Sequence, residues 1–239
     1  MLEQKAWKVN GFLGILLILL LISATLLAFR YESFVAGTIL AVAASLLASG
    51  IIIVQPNEAK VLTFFGRYAG SLRESGIWLT VPLNTRKKVS LRVRNFNSST
   101  LKVNDVDGNP VEIAAVVVFR VVDSAKAVFD VDDYMKFVEI QSETALRHVA
   151  TRYPYDTFIE EGYSLRGNAE EVAQELAREL QERLEVAGVE VMEARLTHLA
   201  YATEIAHAML QRQQATAILA ARQKIVEGAV GMAEMAVQE

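Results

Sequence analysis

Residues 9–54, read as VNGFLGILLILLLISATLLAF (9–29), RYES (30–33) and FVAGTILAVAASLLASGIIIV (34–54), decide how the chain must be understood. Each apolar run has 21 residues and no charge. At about 1.5 Å per residue, either run makes a helix of roughly 31 Å, close to the hydrocarbon thickness of a bilayer. Fourteen residues of the first run and eleven of the second are Leu, Ile, Val or Phe. On the insertion scale these favour the membrane by roughly 4 to 8 and 3 to 7 kcal/mol, more than Asn10, Thr25, Ser45 or Ser49 can offset. A buried core hairpin is the soluble alternative, but globular helices seldom run this long without a charge. A cleaved signal peptide has an apolar core of about 7 to 15 residues, shorter than the first run. No small-x-small cleavage site follows that run, and a second run begins five residues after its end. The expectation is an N-terminal helical hairpin, transmembrane or re-entrant, with helices over about 9–29 and 34–54 and a turn at Arg30-Tyr31-Glu32-Ser33.

Lys and Arg near membrane ends tend to mark the cytoplasmic side. Lys5 and Lys8 precede the hairpin, and Lys60, Arg67 and Arg73 follow it, against Arg30 alone in the turn. Both ends, and the soluble part, are therefore expected in the cytoplasm at a cell membrane. In the second run Gly37, Ala41, Ser45 and Ser49 recur at four-residue steps, a small-residue ridge on which another helix could pack closely.

The remaining residues belong to a different solvent. Nearly every charge of the 239-residue chain lies after residue 55, and formal net charge is −4. There is no basic block with interleaved aromatics, so nucleic acid is not an expected partner. There is no cysteine, which excludes disulfides, thiolate catalysis, thiol metal sites and palmitoylation.

Gln55-Pro56-Asn57 breaks the hairpin, and residues 59–65, 77–81, 88–94, 101–106 and 111–122 read as strands. Asp107-Gly108-Asn109-Pro110 is a hairpin turn between the last two. In the longest strand Val111, Ile113, Ala115, Val117, Phe119 and Val121 share one face. One antiparallel sheet of five or six strands is expected over 55–122. The period then changes to helical. Asp132 or Asp133 caps a helix with Tyr134, Val138, Ala145 and Val149 inward, ending before Pro154. A second helix starts at Asn168, where Asn168 and Glu171 have capping-box spacing, buries Val172, Leu176, Leu180 and Leu184, and stops at Gly188. Glu179 and Arg183 read as an exposed i,i+4 pair. Residues 189–196 return to strand. The class is α+β, with a domain over 55–200.

From residue 201 to 239 the sequence reads as the start of one long Ala-rich, coiled-coil-like helix, expected to continue beyond the chain. It carries two apolar stripes: Ile218, Ala221, Ile225, Gly228, Met232 and Met235 on one, Leu219, Val226, Ala229, Ala233 and Ala236 on the other. A lone surface helix needs one stripe, and two suit a helix wedged between neighbours. If the neighbours are copies of the same chain, the contact is head-to-tail and closes into a ring or continues as a filament. Folding back on its own domain is the alternative.

No catalytic, cofactor-binding or metal constellation emerges. His148, His198 and His207 lack metal-ligand spacing, and ordinary polar roles are expected for them. Gly66, Gly70 and Gly76 match neither a phosphate loop nor a dinucleotide fingerprint. Asp132-Asp133 reads as a cap rather than a cation site.

Taken in order, several segments resemble the SPFH superfamily, or band 7, the group of stomatin, prohibitin, flotillin and HflK/HflC-like proteins. They are the hydrophobic anchor, then Val54-Gln55-Pro56-Asn57-Glu58-Ala59-Lys60-Val61, Phe65-Gly66-Arg67-Tyr68, and Gly76-Ile77-Trp78 with Val81-Pro82-Leu83. Gly108-Asn109-Pro110-Val111, Gln141-Ser142-Glu143-Thr144-Ala145-Leu146-Arg147 and Ala220-Ala221-Arg222-Gln223-Lys224 follow. The resemblance implies a prokaryotic membrane-anchored member whose SPFH domain lies on the membrane. It also implies a homo-oligomeric ring or cage that organises lipid and protein as a membrane microdomain, with a membrane protease or channel as a partner. The chain departs from stomatin in having no cysteine to palmitoylate, and from the HflK/HflC pattern in having two apolar runs. The function expected is a non-enzymatic scaffold; the rival is a subunit of a membrane-bound enzyme whose catalytic residues lie outside this chain.

Overall fold

The structure, a computed structural model, describes residues 3–156 and 163–238, except for the side chains of Glu234 and residues 236–238. Its contacts divide the chain into two units, 1–96 with 118–141 and 180–192, and 97–117 with 142–179 and 193–239.

In the first unit, β1 (Val9–Asn10) leads into α1 (Gly11–Arg30), and α2 (Phe34–Ser49) leads into β2 (Ile51–Val54). Asn10 caps α1 by accepting the Phe12 amide at 3.0 Å. The expectation of a second helix reaching residue 54 is corrected: α2 ends at Ser49, Gly50 caps it, and Ile51–Val54 is a strand. Ile51-Ile52-Ile53-Val54 is β-branched throughout, which stiffens χ1 and favours a pleated strand over a helix end. Among the described residues, α1 alone is a candidate by length and composition to cross a membrane.

β3 (Glu58–Phe64), β4 (Arg67–Leu72), β5 (Gly76–Leu79) and β6 (Thr85–Ser90) follow. The single sheet expected over 55–122 is instead several: one runs β1-β5-β2 and another β4-β3-β6, with Gly70 (φ +121°) at the register shift of the β3–β4 pair. Ala6, Ile52, Val54, Leu62 and Leu72 form a buried cluster, with Trp78 packed against it. A short helix that the sequence reading missed, α3 (Ser124–Phe129), is capped by Asp123.

A third sheet runs β10-β9-β7, formed by β7 (Arg94–Asn97), β9 (Pro110–Val121) and β10 (Val189–Tyr201), with β8 (Leu101–Asn104) also paired to β9. The inward face of β9 is as the alternation predicts: Val111, Ile113, Ala115, Val117, Phe119 and Val121 are all buried. In α4 (Tyr134–Ala150) Asp133 accepts the Met135 amide at 2.8 Å, and Val138, Ala145 and Val149 are buried. In α5 (Ala169–Leu184) Val172, Leu176, Leu180 and Leu184 are buried, and Gly188 at φ +65° ends the following 3-10 turn. The Asn168 side chain accepts the Ser164 amide at 3.2 Å, turning back into the loop before the helix. Glu179, read as the solvated partner of Arg183, is largely covered and meets His148 Nδ1 at 2.9 Å. The strand at 189 runs on to Tyr201, placing His198 within it. One long helix, α6 (Thr203–Gln238), completes the second unit.

Candidate membrane hairpin and assembly helix

The hairpin is rooted by the strand that separates its two ends. Leu79 of β5 pairs with Val9 on one side and Ile51 on the other. One intervening strand puts those ends about 10 Å apart, a spacing at which helices also pack. Three glycines allow the close approach. A Cβ on Gly11 would lie 2.5 Å from the Ile77 carbonyl carbon, one on Gly14 3.1 Å from Leu79 Cβ, and one on Gly50 2.6 Å from the Thr80 carbonyl oxygen. Thr80 donates to the Gly50 carbonyl from its amide at 2.9 Å and from its hydroxyl at 3.1 Å. Arg86 donates to the Ser49 carbonyl, so a cation closes the negative end of α2.

Residues 3–10 bind the same unit. Ser71 donates its amide to the Gln4 carbonyl at 2.8 Å, and Ala6 donates to the Ser71 carbonyl at 3.2 Å, so the segment extends the edge at β4. Gly70 meets the Ala6 backbone where a Cβ would clash. Glu3 accepts from the buried Ser124 hydroxyl at 2.5 Å and pairs with Arg73 at 3.3 Å. Lys8 pairs with Glu74 and lies 4.0 Å from the centre of the Trp78 ring. That pairing holds the exposed Glu74 carboxyl below its ordinary pKa. The chain thus enters and leaves the hairpin at one place.

Above the root, the helices hold themselves together while exposing apolar surface outward. Ile18, Ile22, Thr25 and Leu26 of α1 and Ala41, Ala44, Ser45 and Ala48 of α2 line a groove of about 270 Å³. Of the small-residue ridge, Gly37 is buried against the Phe29 ring, Ala41 and Ser45 are at the groove but exposed, and Ser49 is at the root. The buried positions of α2 are Gly37 and Ala44. The hydroxyls of Ser23, Thr25, Thr38 and Ser49 donate to carbonyls three or four residues back, so each is satisfied within its own helix. Most of the large side chains of α1 are exposed.

α6 is rooted differently. Ala202 donates to the Pro110 carbonyl at 2.9 Å, Tyr155 and Tyr201 rings stack with centroids 3.9 Å apart, and Lys102 pairs with Glu204. Lys102 holds the exposed Glu204 carboxyl below its ordinary pKa, and burial raises that of the Tyr201 phenol. Beyond this root the helix is bare. Ile218, Leu219, Ile225, Val226 and Met232 are each more than half exposed, and Ala221, Ala229 and Ala233 are exposed too. The Ala236 side chain lies outside the described residues. His207 bonds Gln211 and His148 bonds Glu179. Among the described residues no group of three His, Asp or Glu could hold a metal.

The family model "SPFH domain / Band 7 family" matches residues 52–230, about three quarters of the chain. The chain belongs to this family. A stomatin homologue of Pyrococcus horikoshii is 34% identical over 134 residues, 56% of this chain and 50% of that protein. One from Pyrococcus abyssi is 34% identical over 116 residues, 48% of this chain and 43% of that protein. Mechanosensory protein 2 of Caenorhabditis elegans is 26% identical over 180 residues, 74% of this chain and 36% of that protein. The chain spans about half or less of the length of these curated relatives. SPFH proteins are generally membrane-associated, oligomeric and non-catalytic scaffolds. The match begins at Ile52, inside β2, so the root of the hairpin and the start of the family domain share one strand.

The sequence reading missed this root. Its signal was present: Gly11 and Gly14 open an otherwise bulky apolar helix, and Gly50 closes its partner. Glycine at such positions marks close backbone approach.

Proposed function

We propose that the protein is a homo-oligomeric scaffold held to the cytoplasmic face of a prokaryotic cell membrane, where it gathers a lipid patch and a partner membrane protein such as a protease. The observation that carries this reading is the rooted hairpin, an outward-facing apolar column whose entry and exit strands flank the same residue of the domain. Residues 3–10 and the domain then occupy one membrane face, and the Lys and Arg excess near the hairpin ends supports the cytoplasm for that face. The stripes of α6 supply lateral contact between copies: Ile218, Ala221, Ile225 and Met232 on one side, Leu219, Val226, Ala229, Ala233 and Ala236 on the other. In this reading residues 11–49 form the membrane hairpin, β1 and β2 root it in the SPFH domain, and residues 201–239 form the oligomerisation helix.

The test is to extract the protein in mild detergent and measure its mass by light scattering. A large, discrete oligomer is expected, and Ile218→Asp with Ile225→Asp should reduce it while leaving the unfolding temperature unchanged. A wild-type monomer would sink the assembly claim. Full release of the protein from vesicles by carbonate wash would sink the anchor.

A further inference from the structure

The length of the hairpin is fixed at both ends. At the near end, Gly14 and Gly50 both pack against the side chain of Leu79, so α1 and α2 leave the domain at one level. Neither helix can grow downward, because Val9–Asn10 and Ile51–Val54 are already paired as strands. Arg86 at the Ser49 carbonyl, and Lys8 against Glu74 and Trp78, mark that level as polar. At the far end, the chain turns at Arg30-Tyr31-Glu32-Ser33, with all four side chains exposed.

Between these levels lie residues 15–30 of α1 and residues 34–49 of α2, sixteen in each arm. Sixteen residues at 1.5 Å rise give about 24 Å, some 6 Å less than an ordinary hydrocarbon core of roughly 30 Å. A lone helix that is too short can let its flanking residues reach outward. Here Arg30 has a stem long enough to do so, but Glu32 does not. Its carboxylate sits on a left-handed turn residue, φ 57°, whose amide is bonded to the Phe29 carbonyl at 3.2 Å. Sinking the root instead would take Arg86 and Glu74 below the headgroups.

We propose that the α1–α2 hairpin is matched to a thin bilayer, so that the protein partitions into short-chain lipid, or thins the lipid around it, until Glu32 and Arg86 both reach water. This rests on the membrane reading above and adds to it the physical property by which lipid would be gathered. The occupant of the apolar surface is the acyl-chain layer of phospholipids with chains shorter than oleoyl. An oligomer would place many such hairpins side by side, and the preference would then act on a patch rather than on single molecules.

The experiment uses the full chain, reconstituted by detergent removal in three separate samples, each with phosphatidylcholine of one chain type: dimyristoleoyl, dioleoyl or dierucoyl. These span cores from thinner to thicker than roughly 30 Å. Vesicles are then separated by flotation and washed with carbonate. A preference of about tenfold or more for dimyristoleoyl over dierucoyl vesicles is expected. The double variant Arg30→Leu with Glu32→Leu, which removes the charges that must reach the far side, should lose most of that preference while inserting at least as well. Equal insertion of the wild type into all three lipids, or a variant that keeps the full preference, overturns the proposal and leaves the membrane anchor standing. Insertion into none overturns the anchor and this proposal with it.

Discussion

The hairpin and α6 both expose rows of large apolar side chains, yet they ask for different surroundings. Residues 11–29 of α1 carry no charge on any side, and their hydroxyls are bonded within the helix. α6 interrupts its apolar stripes with Arg222, Lys224 and Glu227, and Lys224 pairs with Glu227 at 3.5 Å. A surface that is apolar all round suits hydrocarbon, whereas one in which stripes alternate with charges suits protein on two sides and water on a third. The roots differ in the same sense. The hairpin is fixed by backbone contact at glycines, and α6 by a tyrosine stack and an exposed ion pair.

The comparison breaks most readily in α1. Leu17→Lys with Leu20→Lys should cost about 2.5 to 3.5 kcal/mol per site and release the protein from vesicles on carbonate washing. The equivalent change on α6, Leu219→Asp with Val226→Asp, should leave membrane binding intact but abolish large oligomers. If the two stripes of α6 serve two neighbours, this variant and the Ile218→Asp, Ile225→Asp variant each fail to assemble alone. Mixed, they share one intact seam and should form a discrete dimer, visible by light scattering; no dimer would mean that the stripes do not face each other.

Glycine substitution separates the regions at a smaller scale. Gly11→Ala forces a Cβ against the Ile77 backbone and should cost about 1 to 3 kcal/mol, or roughly 2 to 4 °C in unfolding temperature for each kcal/mol. Gly228→Ala on α6 meets open space and should instead stabilise by about 0.5 to 1 kcal/mol. Thermal unfolding in one detergent checks both.

The smallest effects belong to Glu74 and Glu204, one at each root. Each carboxyl is depressed by a lysine partner, so its contribution is complete above the ordinary carboxylate pKa and fades as pH falls through the lower folded value. Both groups are fully exposed, and salt screens such pairs. Glu204→Gln should therefore leave unfolding temperature nearly unchanged at pH 7, while carbon NMR titration should find both carboxyls below the usual range.

What could be read from the sequence followed periodicity. The inward face of β9 and the Val172-Leu176-Leu180-Leu184 stripe are regular enough to name residue by residue. Ile51–Val54 defeated the same reasoning, because an apolar run has no period and extends a helix or forms a strand equally well on paper; its β-branched content and Gly50 were the better guides. The division into several small sheets was hidden because pairing is set by partners far along the chain. The N-terminal segment 3–10 shows this best: its polar residues suggest a tail, and its role becomes visible only beside Tyr68, Ser71 and Ser124. For α6 the stripes were legible, and the structure shows Ile218, Leu219, Ile225, Val226 and Met232 exposed along them.

The sheet β1-β5-β2 takes a strand from before the hairpin, one from just after it and one from farther along. During synthesis its first strand leaves the ribosome before the helices do, and waits unpaired until β5 has emerged. Folding of this part of the domain is thus tied to delivery of the hairpin. A chain whose helices went to opposite fates, one inserted and one left behind, could not bring Val9 and Ile51 to the two sides of Leu79. The sheet can close only when both ends of the hairpin lie on one side, with Val9 and Ile51 flanking Leu79.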